Sequence, residues 1–299
     1  MSNQFKNILK KHAKSFYFAG LLLDRQTLND ASILYAFCRK LDDAADNLKS
    51  NNSHELKYLI DDYRKPTSKD YVNQSFKEIQ KKYAFKQKFI DDLILGVTSD
   101  TNFKQPQNVK DLLLYSYQVA GTVGALMAKV LGATQQNAEK FAIDLGIGMQ
   151  LTNISRDIKE DSENNRIYIP KDMLPNNFSS VDILNEKNKE CIFDATNRIL
   201  EIAEKYYQSG IDGIYFIPHK NKFSILIAAI LYGSIGKKII KNKHVYLKKR
   251  IYLNSFEKIF ILIKNYFTKN KQYKTTEPIH KTNELHTPYK LLLWFMILQ

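Results

Sequence analysis

The chain has 299 residues, 44% of them hydrophobic, enough for one large core or two small domains. Its formal charge is +14 and its pI about 9.4, a balance that attracts nucleic acid, anionic lipid or diphosphates, although most lysines of so Lys-, Asn- and Ile-rich a chain read as solvated surface. Cys38 and Cys191 stand in no metal-ligand spacing, which argues against a disulfide framework or structural zinc. Together with an N-terminus lacking a signal-peptide apolar region, this points to the cytoplasm.

Only 7 prolines and 11 glycines punctuate the sequence, and helical apolar spacing recurs along most of it, so the fold class reads as all-α. Helices are expected over 4–19, 26–47, 53–64, 74–82, 86–99, 109–131, 135–160, 179–209, 222–241 and 255–266. Asn29 or Asp30 is a candidate cap within the second of these. Segments 48–54, 65–72, 100–108 and 162–178 read as loops, with Pro106 breaking the chain before a long helix. No repeat with a period of 20–50 residues is present. Residues 1–267 read as one domain. Residues 268–299 read as a loosely held, Lys-rich tail that ends in an apolar segment, 291–298. No uninterrupted apolar run reaches the roughly 18–20 residues that span a bilayer. The closing segment is either an end packed on the body or a membrane-surface contact.

Two acidic clusters carry the chemistry. On the second expected helix, Tyr35, Arg39, Asp42 and Asp46 fall in one stripe, opposite Leu34, Phe37, Leu41 and Ala45. Around 135–160, Gln150, Asn153, Asp157 and Asp161 form a polar stripe on a helix whose run Phe141 to Met149 is apolar. Aspartates four residues apart on a helix repel, costing about 0.2–0.5 kcal/mol per pair even on a wet surface. In a cleft the cost is larger, and a divalent cation removes it. The donors are all oxygens, without His or Cys, so the expected ion is Mg²⁺ or Mn²⁺ rather than zinc. The alternative is a buried hydrogen-bond network between helices. Two carboxylate helices facing each other would hold Mg²⁺ against a diphosphate, with Arg39 and Arg156 contacting its oxygens.

No P-loop is present, Gly146-Ile147-Gly148 lacks a third glycine, and no GxSxG nucleophile motif occurs. Metal-assisted departure of diphosphate from an allylic substrate needs no protein nucleophile. It needs a cation to neutralise the leaving group and an apolar, aromatic-lined cavity to shelter a carbocation.

The chain resembles the squalene/phytoene synthase family. The stretches that carry the resemblance are His12 to Phe16, Tyr35 to Asp46, Tyr115 to Gly124, and Gln150 to Asp161 followed by Arg166-Ile167-Tyr168-Ile169-Pro170, with a weaker match at Ala228 to Tyr232. The resemblance implies an isoprenoid-synthase helical fold around a central apolar cavity. It implies head-to-head joining of two prenyl diphosphates through a cyclopropyl diphosphate, followed by rearrangement. It implies Asp42, Asp46, Asn153, Asp157 and Asp161 as Mg²⁺ ligands, the four aspartates being the catalytic set. His12 to Ser15, Tyr35, Arg39, Gln150, Arg156 and Tyr232 would contact diphosphate, and Tyr117 to Gly124 would lie along the prenyl cavity.

The segment Val119 to Met127 looks more like phytoene and dehydrosqualene synthases than squalene synthases, the pair Ile235-Gly236 resembles bacterial phytoene synthases, and no nicotinamide signature is visible. Two geranylgeranyl diphosphates giving phytoene for carotenoid biosynthesis, without NADPH, is therefore the first reading. Dehydrosqualene or squalene synthesis from farnesyl diphosphate is the alternative. A non-catalytic basic module, motivated by the run from Lys237 to Arg250, is the reading from another class. That run lacks the regular aromatics that stack on bases, so nucleic acid is not an expected partner. Peripheral membrane contact is expected through the basic surface and the apolar end. Nothing in the sequence fixes the oligomeric state.

Overall fold

The computed structural model describes residues 2–46, 53–243, 245–287 and 289, and their regular structure is helical throughout. The fold is all-α. In chain order the helices are α1 (Ser2–His12), α2 (Lys14–Gly20), α3 (Arg25–Asp46), α4 (Ser53–Arg64), α5 (Tyr71–Tyr83), α6 (Gln87–Ser99), α7 (Val109–Ser116), α8 (Thr122–Val130), α9 (Asn137–Glu163), α10 (Lys189–Asp212), α11 (His219–Lys241), α12 (Ser255–Gln272) and the short α13 (Thr282–Leu285). Long α9 is the axis, packed against α8, α10 and α11.

Local chemistry sets the ends. Asp70 accepts from the N–H groups of Val72 and Asn73 to start α5, and Ala84 closes it in the left-handed region at φ 49°. Asn108 caps α7 in the same way. The start of α3 differs from expectation. Its cap is Asp24, which accepts from the Thr27 N–H at 2.9 Å. Neither Asn29 nor Asp30 serves. Asp30 is buried mid-helix, held by Lys82 at 2.6 Å and Tyr83 at 2.7 Å.

Three further expectations are corrected. The first helix is two, because Ala13 leaves helical backbone at φ −134°, ψ 62°. The helix expected over 109–131 contains a π turn at Tyr117–Gly121 between α7 and α8. The helix expected from 179 begins at Lys189, since short 3₁₀ turns capped by Ser179 and Asn185 occupy the approach.

The described part of the tail is not loosely held. Tyr206 donates to the Leu285 carbonyl at 2.7 Å, Tyr289 is buried and stacked on Tyr117, and His280 and His286 meet Asp144. The apolar end at 291–298 lies outside the described residues. One 18-residue window of α11 is apolar enough to cross a membrane, which a count of uninterrupted apolar residues passes over. In this fold α11 packs against α2, α9, α10 and α12.

Where α8 and the π turn before it meet α9, backbone packs against backbone. A Cβ on Gly124 would stand 2.1 Å from the Ala142 carbonyl oxygen, and one on Gly146 would stand 2.3 Å from that of Ala120. Backbone cannot yield as a flexible side chain does. Gly146→Ala should therefore destabilise the protein by about 1–3 kcal/mol or more, read as a lower denaturant midpoint, whereas helix propensity alone would stabilise it by about 1 kcal/mol. An unchanged or raised midpoint would show that the two helices can separate at no cost.

Candidate active site

The apolar side of α3 orients its acidic side. Leu34, Phe37, Leu41 and Ala45 are buried, and Phe37 stacks on Phe76 with ring centroids 3.7 Å apart. Tyr35, Arg39, Asp42 and Asp46 are thereby turned to a cleft. On α9, Ile147, Leu151, Ile154 and Ile158 are buried in the core. Gln150, Asn153, Asp157 and Asp161 face the same cleft, together with Arg156. The break at Ala13 sets His12 and Ser15 on its rim, and α11 contributes Tyr232. All the site residues singled out in the sequence line this one cavity, of about 630 Å³.

Its electrostatics are uneven. Burial raises the Asp161 carboxyl to about 8, with Asp157, Glu160 and Asp100 adding to the rise and Arg166 opposing it. Asp42 is raised to about 7 by burial, eased by Arg39 and worsened by Asp100 and Asp46. Asp42 is nonetheless open to water where it lines the cleft, whereas Asp161 is half-buried, so the rise is carried more firmly by Asp161. Asp157 is bracketed by two guanidinium groups. Arg156 donates to its two oxygens at 2.8 and 2.6 Å, and Arg250 approaches them at 3.0 and 3.1 Å. Arg166 reaches across from beyond α9 to Asp46 at 2.5 Å.

Sequence reasoning missed Asp100, Arg250 and Lys258. Asp100 follows α6 in a segment read as loop, and it accepts from Tyr115 and Tyr168, both at 2.9 Å. No periodic signal marks it. Arg250 closes a basic run and looks like solvated surface until the fold brings it to Asp157 and Glu160. Lys258 comes from α12 and meets Lys14 of α2 at the cleft. Burial and that neighbouring ammonium hold Lys258 below its usual range. Two neighbouring ammonium groups thus share one cleft with the carboxylates.

The residues fit a hard divalent cation. Asn153 donates to Gln150 at 3.3 Å, while its own carbonyl oxygen is buried and accepts nothing. An oxygen left bare beside carboxylates that resist ionisation matches an oxygen-ligated ion such as Mg²⁺. A second, apolar cavity of about 260 Å³ continues inward, sharing Phe16, Tyr35, Val119 and Asn153 with the polar one. Val123, Gly124, Met127 and Met149 line it deeper in.

The model of the squalene/phytoene synthase family matches residues 9–257. The chain belongs to that family. It is a prenyltransferase of isoprenoid biosynthesis, of the type that joins prenyl groups head to head. It is 28% identical to the 15-cis-phytoene synthase of Enterobacter agglomerans over 265 residues, 84% of this chain and 90% of that one. It is 30% identical to the 15-cis-phytoene synthase of a Paracoccus species over 262 residues, 84% and 86% of the two chains. Among solved structures, a dehydrosqualene synthase with bound ligand superposes with a TM-score of 0.78 at 26% identity, covering 90% of this chain and 96% of that one. A squalene synthase from Alicyclobacillus acidocaldarius shares the fold, with a TM-score of 0.72 at 17% identity, 81% of this chain and 94% of that one.

The raised carboxyls predict a pH dependence. Asp42 and Asp161 bind protons more tightly in the folded than in the unfolded chain. Between the ordinary carboxylate value near 3.8 and their folded values of about 7 and 8, the folded metal-free protein holds more protons. Stability therefore falls as pH rises through that window. Thermal melts in chelator from about pH 5 to about pH 8.5 should show a falling Tm, with a shallower fall in Asp161→Asn. Parallel slopes for the two proteins would refute the assignment.

Proposed function

We propose that this chain condenses two molecules of geranylgeranyl diphosphate to phytoene, through a cyclopropyl diphosphate and without NADPH. The observation that carries the reading is the junction of a carboxylate-walled, lysine-rimmed cleft with an apolar cavity, at Phe16, Tyr35, Val119 and Asn153. A prenyl diphosphate has the same two ends. The resemblance to curated 15-cis-phytoene synthases supports this reading over the dehydrosqualene and squalene ones.

In this reading Asp42, Asp46, Asn153, Asp157 and Asp161 hold Mg²⁺. When bound, the metal neutralises charge that builds on the departing diphosphate. Lys14, Lys258 and Arg39 line the same cleft and bind the anion there, and the Arg39 Nε is buried without a partner. His12, Ser15, Gln150 and Tyr232 line the path between. Arg156 and Arg250 fix Asp157 in place. Phe16 and Tyr232, with ring centroids 4.6 Å apart, present aromatic surface where positive charge develops on the allylic carbon. The apolar cavity excludes water from that carbon.

Purified protein incubated with Mg²⁺ and geranylgeranyl diphosphate should release phytoene with no NADPH present. Product from farnesyl diphosphate alone would move the assignment to dehydrosqualene, and a requirement for NADPH would move it to squalene. Asp42→Asn, Asp46→Asn, Asp157→Asn and Asp161→Asn should each lower turnover by at least about 100-fold with the fold retained by circular dichroism. Near-normal turnover in two of them would contradict the ligand assignment.

The same reading places the enzyme in the cytoplasm, peripherally on the membrane. Helix α12 carries its apolar row outward, with Phe256 85%, Phe260 67% and Phe267 80% exposed and Lys264, Lys269 and Lys271 on the same helix. An amphipathic helix with its apolar face in water suits an anionic bilayer surface, and Lys258 ties its first turns to the cleft. Phe256→Ser/Phe260→Ser/Phe267→Ser should lose flotation with anionic liposomes that the unaltered chain retains. Equal flotation would remove α12 from the contact.

A further inference from the structure

One buried cluster of titratable groups takes no part in the reaction. Asp144 on α9 has a side chain 0% exposed, and His280 and His286 from the C-terminal segment are 4% and 1% exposed. The His280 Nε2 stands 2.8 Å from one oxygen of Asp144, and the His286 Nε2 stands 2.7 Å from the other. The imidazoles meet edge to face with centroids 4.5 Å apart. Ser209 of α10 donates to Asp144 at 2.5 Å, and the His280 Nδ1 lies 2.9 Å from the Thr282 hydroxyl.

Two imidazole nitrogens and a carboxylate thus meet in one buried cluster, with one ligand atom from each within 4.8 Å of the others. Burial alone would raise Asp144, but the hydrogen bonds from His280 and His286 outweigh it and hold the carboxyl below its ordinary value, so the group is an anion in an apolar setting. A buried anion between two nitrogen donors can be satisfied by protons or by a cation. The donor set differs from that of the catalytic cleft. Two nitrogens and one oxygen suit borderline ions of the zinc type, whereas Mg²⁺ prefers oxygens alone. Thr282 and Ser209 supply the outer hydrogen bonds that orient a ligating imidazole and carboxylate. The low cysteine count, which argues against thiolate zinc sites, does not bear on this set.

We propose that Asp144, His280 and His286 bind one zinc-type divalent ion, which fastens the segment after α12 to the central helix. Ligand atoms around a tetrahedral ion stand about 3.3 Å apart, so the two imidazole nitrogens, now at hydrogen-bond distance from Asp144, would move outward to admit the ion. The site lies about 20 Å along α9 from Asp157, so its occupancy can be read apart from catalysis.

The test uses the full-length protein, stripped with chelator and supplied with excess Mg²⁺ to fill the acidic cleft. Titration with Zn²⁺ should then show one further ion per chain and a raised Tm. Co²⁺ in its place should give the visible absorption of a four-coordinate site. His280→Ala and His286→Ala should each weaken Zn²⁺ binding by about 100-fold. Failure of the unaltered protein to take up Zn²⁺ or Co²⁺ would overturn the proposal, as would uptake unchanged in both variants. A Tm that depends on pH but never on Zn²⁺ would also overturn it, since protons alone would then hold the cluster. Should the variants fail to fold, X-ray absorption of the zinc-loaded unaltered protein decides. A shell with two imidazoles is expected, and an oxygen-only shell would overturn the site.

Discussion

The carboxyl groups of Asp42, Asp46, Asp100, Asp157 and Asp161 share one cleft, and they cannot all ionise there cheaply without added positive charge. The pressure shows in Asp42 and Asp161, which the enclosure and their acidic neighbours push up to about 7 and 8. The chain's own cations relieve only part of it. Arg156 and Arg250 attend to Asp157, and Arg166 to Asp46. Hard cations, as proposed, would relieve the remaining deficit and in turn hold an anionic leaving group.

The rest of the fold maintains that crowding. The stacked Phe37 and Phe76 and the buried leucines of α3 prevent its acidic stripe from rotating away. The reciprocal approach at Gly124 and Gly146 draws α8 close to α9, and the residues beside those glycines line the apolar cavity that meets the cleft. The π turn lies in the same stretch, so the segment that lines the apolar cavity is also the one that departs from regular helix.

Much of this was legible in the sequence because a helix translates spacing directly into geometry. Four-residue intervals between aspartates, set against apolar residues on the opposite side, were enough to put each aspartate pair on one polar face of its helix; that the two faces line one cavity comes from the fold. The family resemblance added His12, Ser15 and Tyr232, which have no periodic signal of their own. Asp100, Arg250 and Lys258 were not legible, since each reaches the site by a tertiary path from a loop or a surface helix. The tail misled for a related reason. Its composition is that of solvated chain, but a few residues, His280, Leu285, His286 and Tyr289, supply the contacts that dock it. Cap positions were misjudged at α3 because Asp30, a good cap by type, is instead consumed by Lys82 and Tyr83, residues remote in sequence.

The central claim is that the two acidic walls hold the metal jointly with a diphosphate between them. Anomalous diffraction from crystals soaked with Mn²⁺ and an unreactive thiodiphosphate analogue of the substrate tests it most directly. The account predicts manganese peaks bridging the analogue to both Asp42/Asp46 and Asp157/Asp161. Peaks confined to one wall, or an analogue bound away from both, would contradict it.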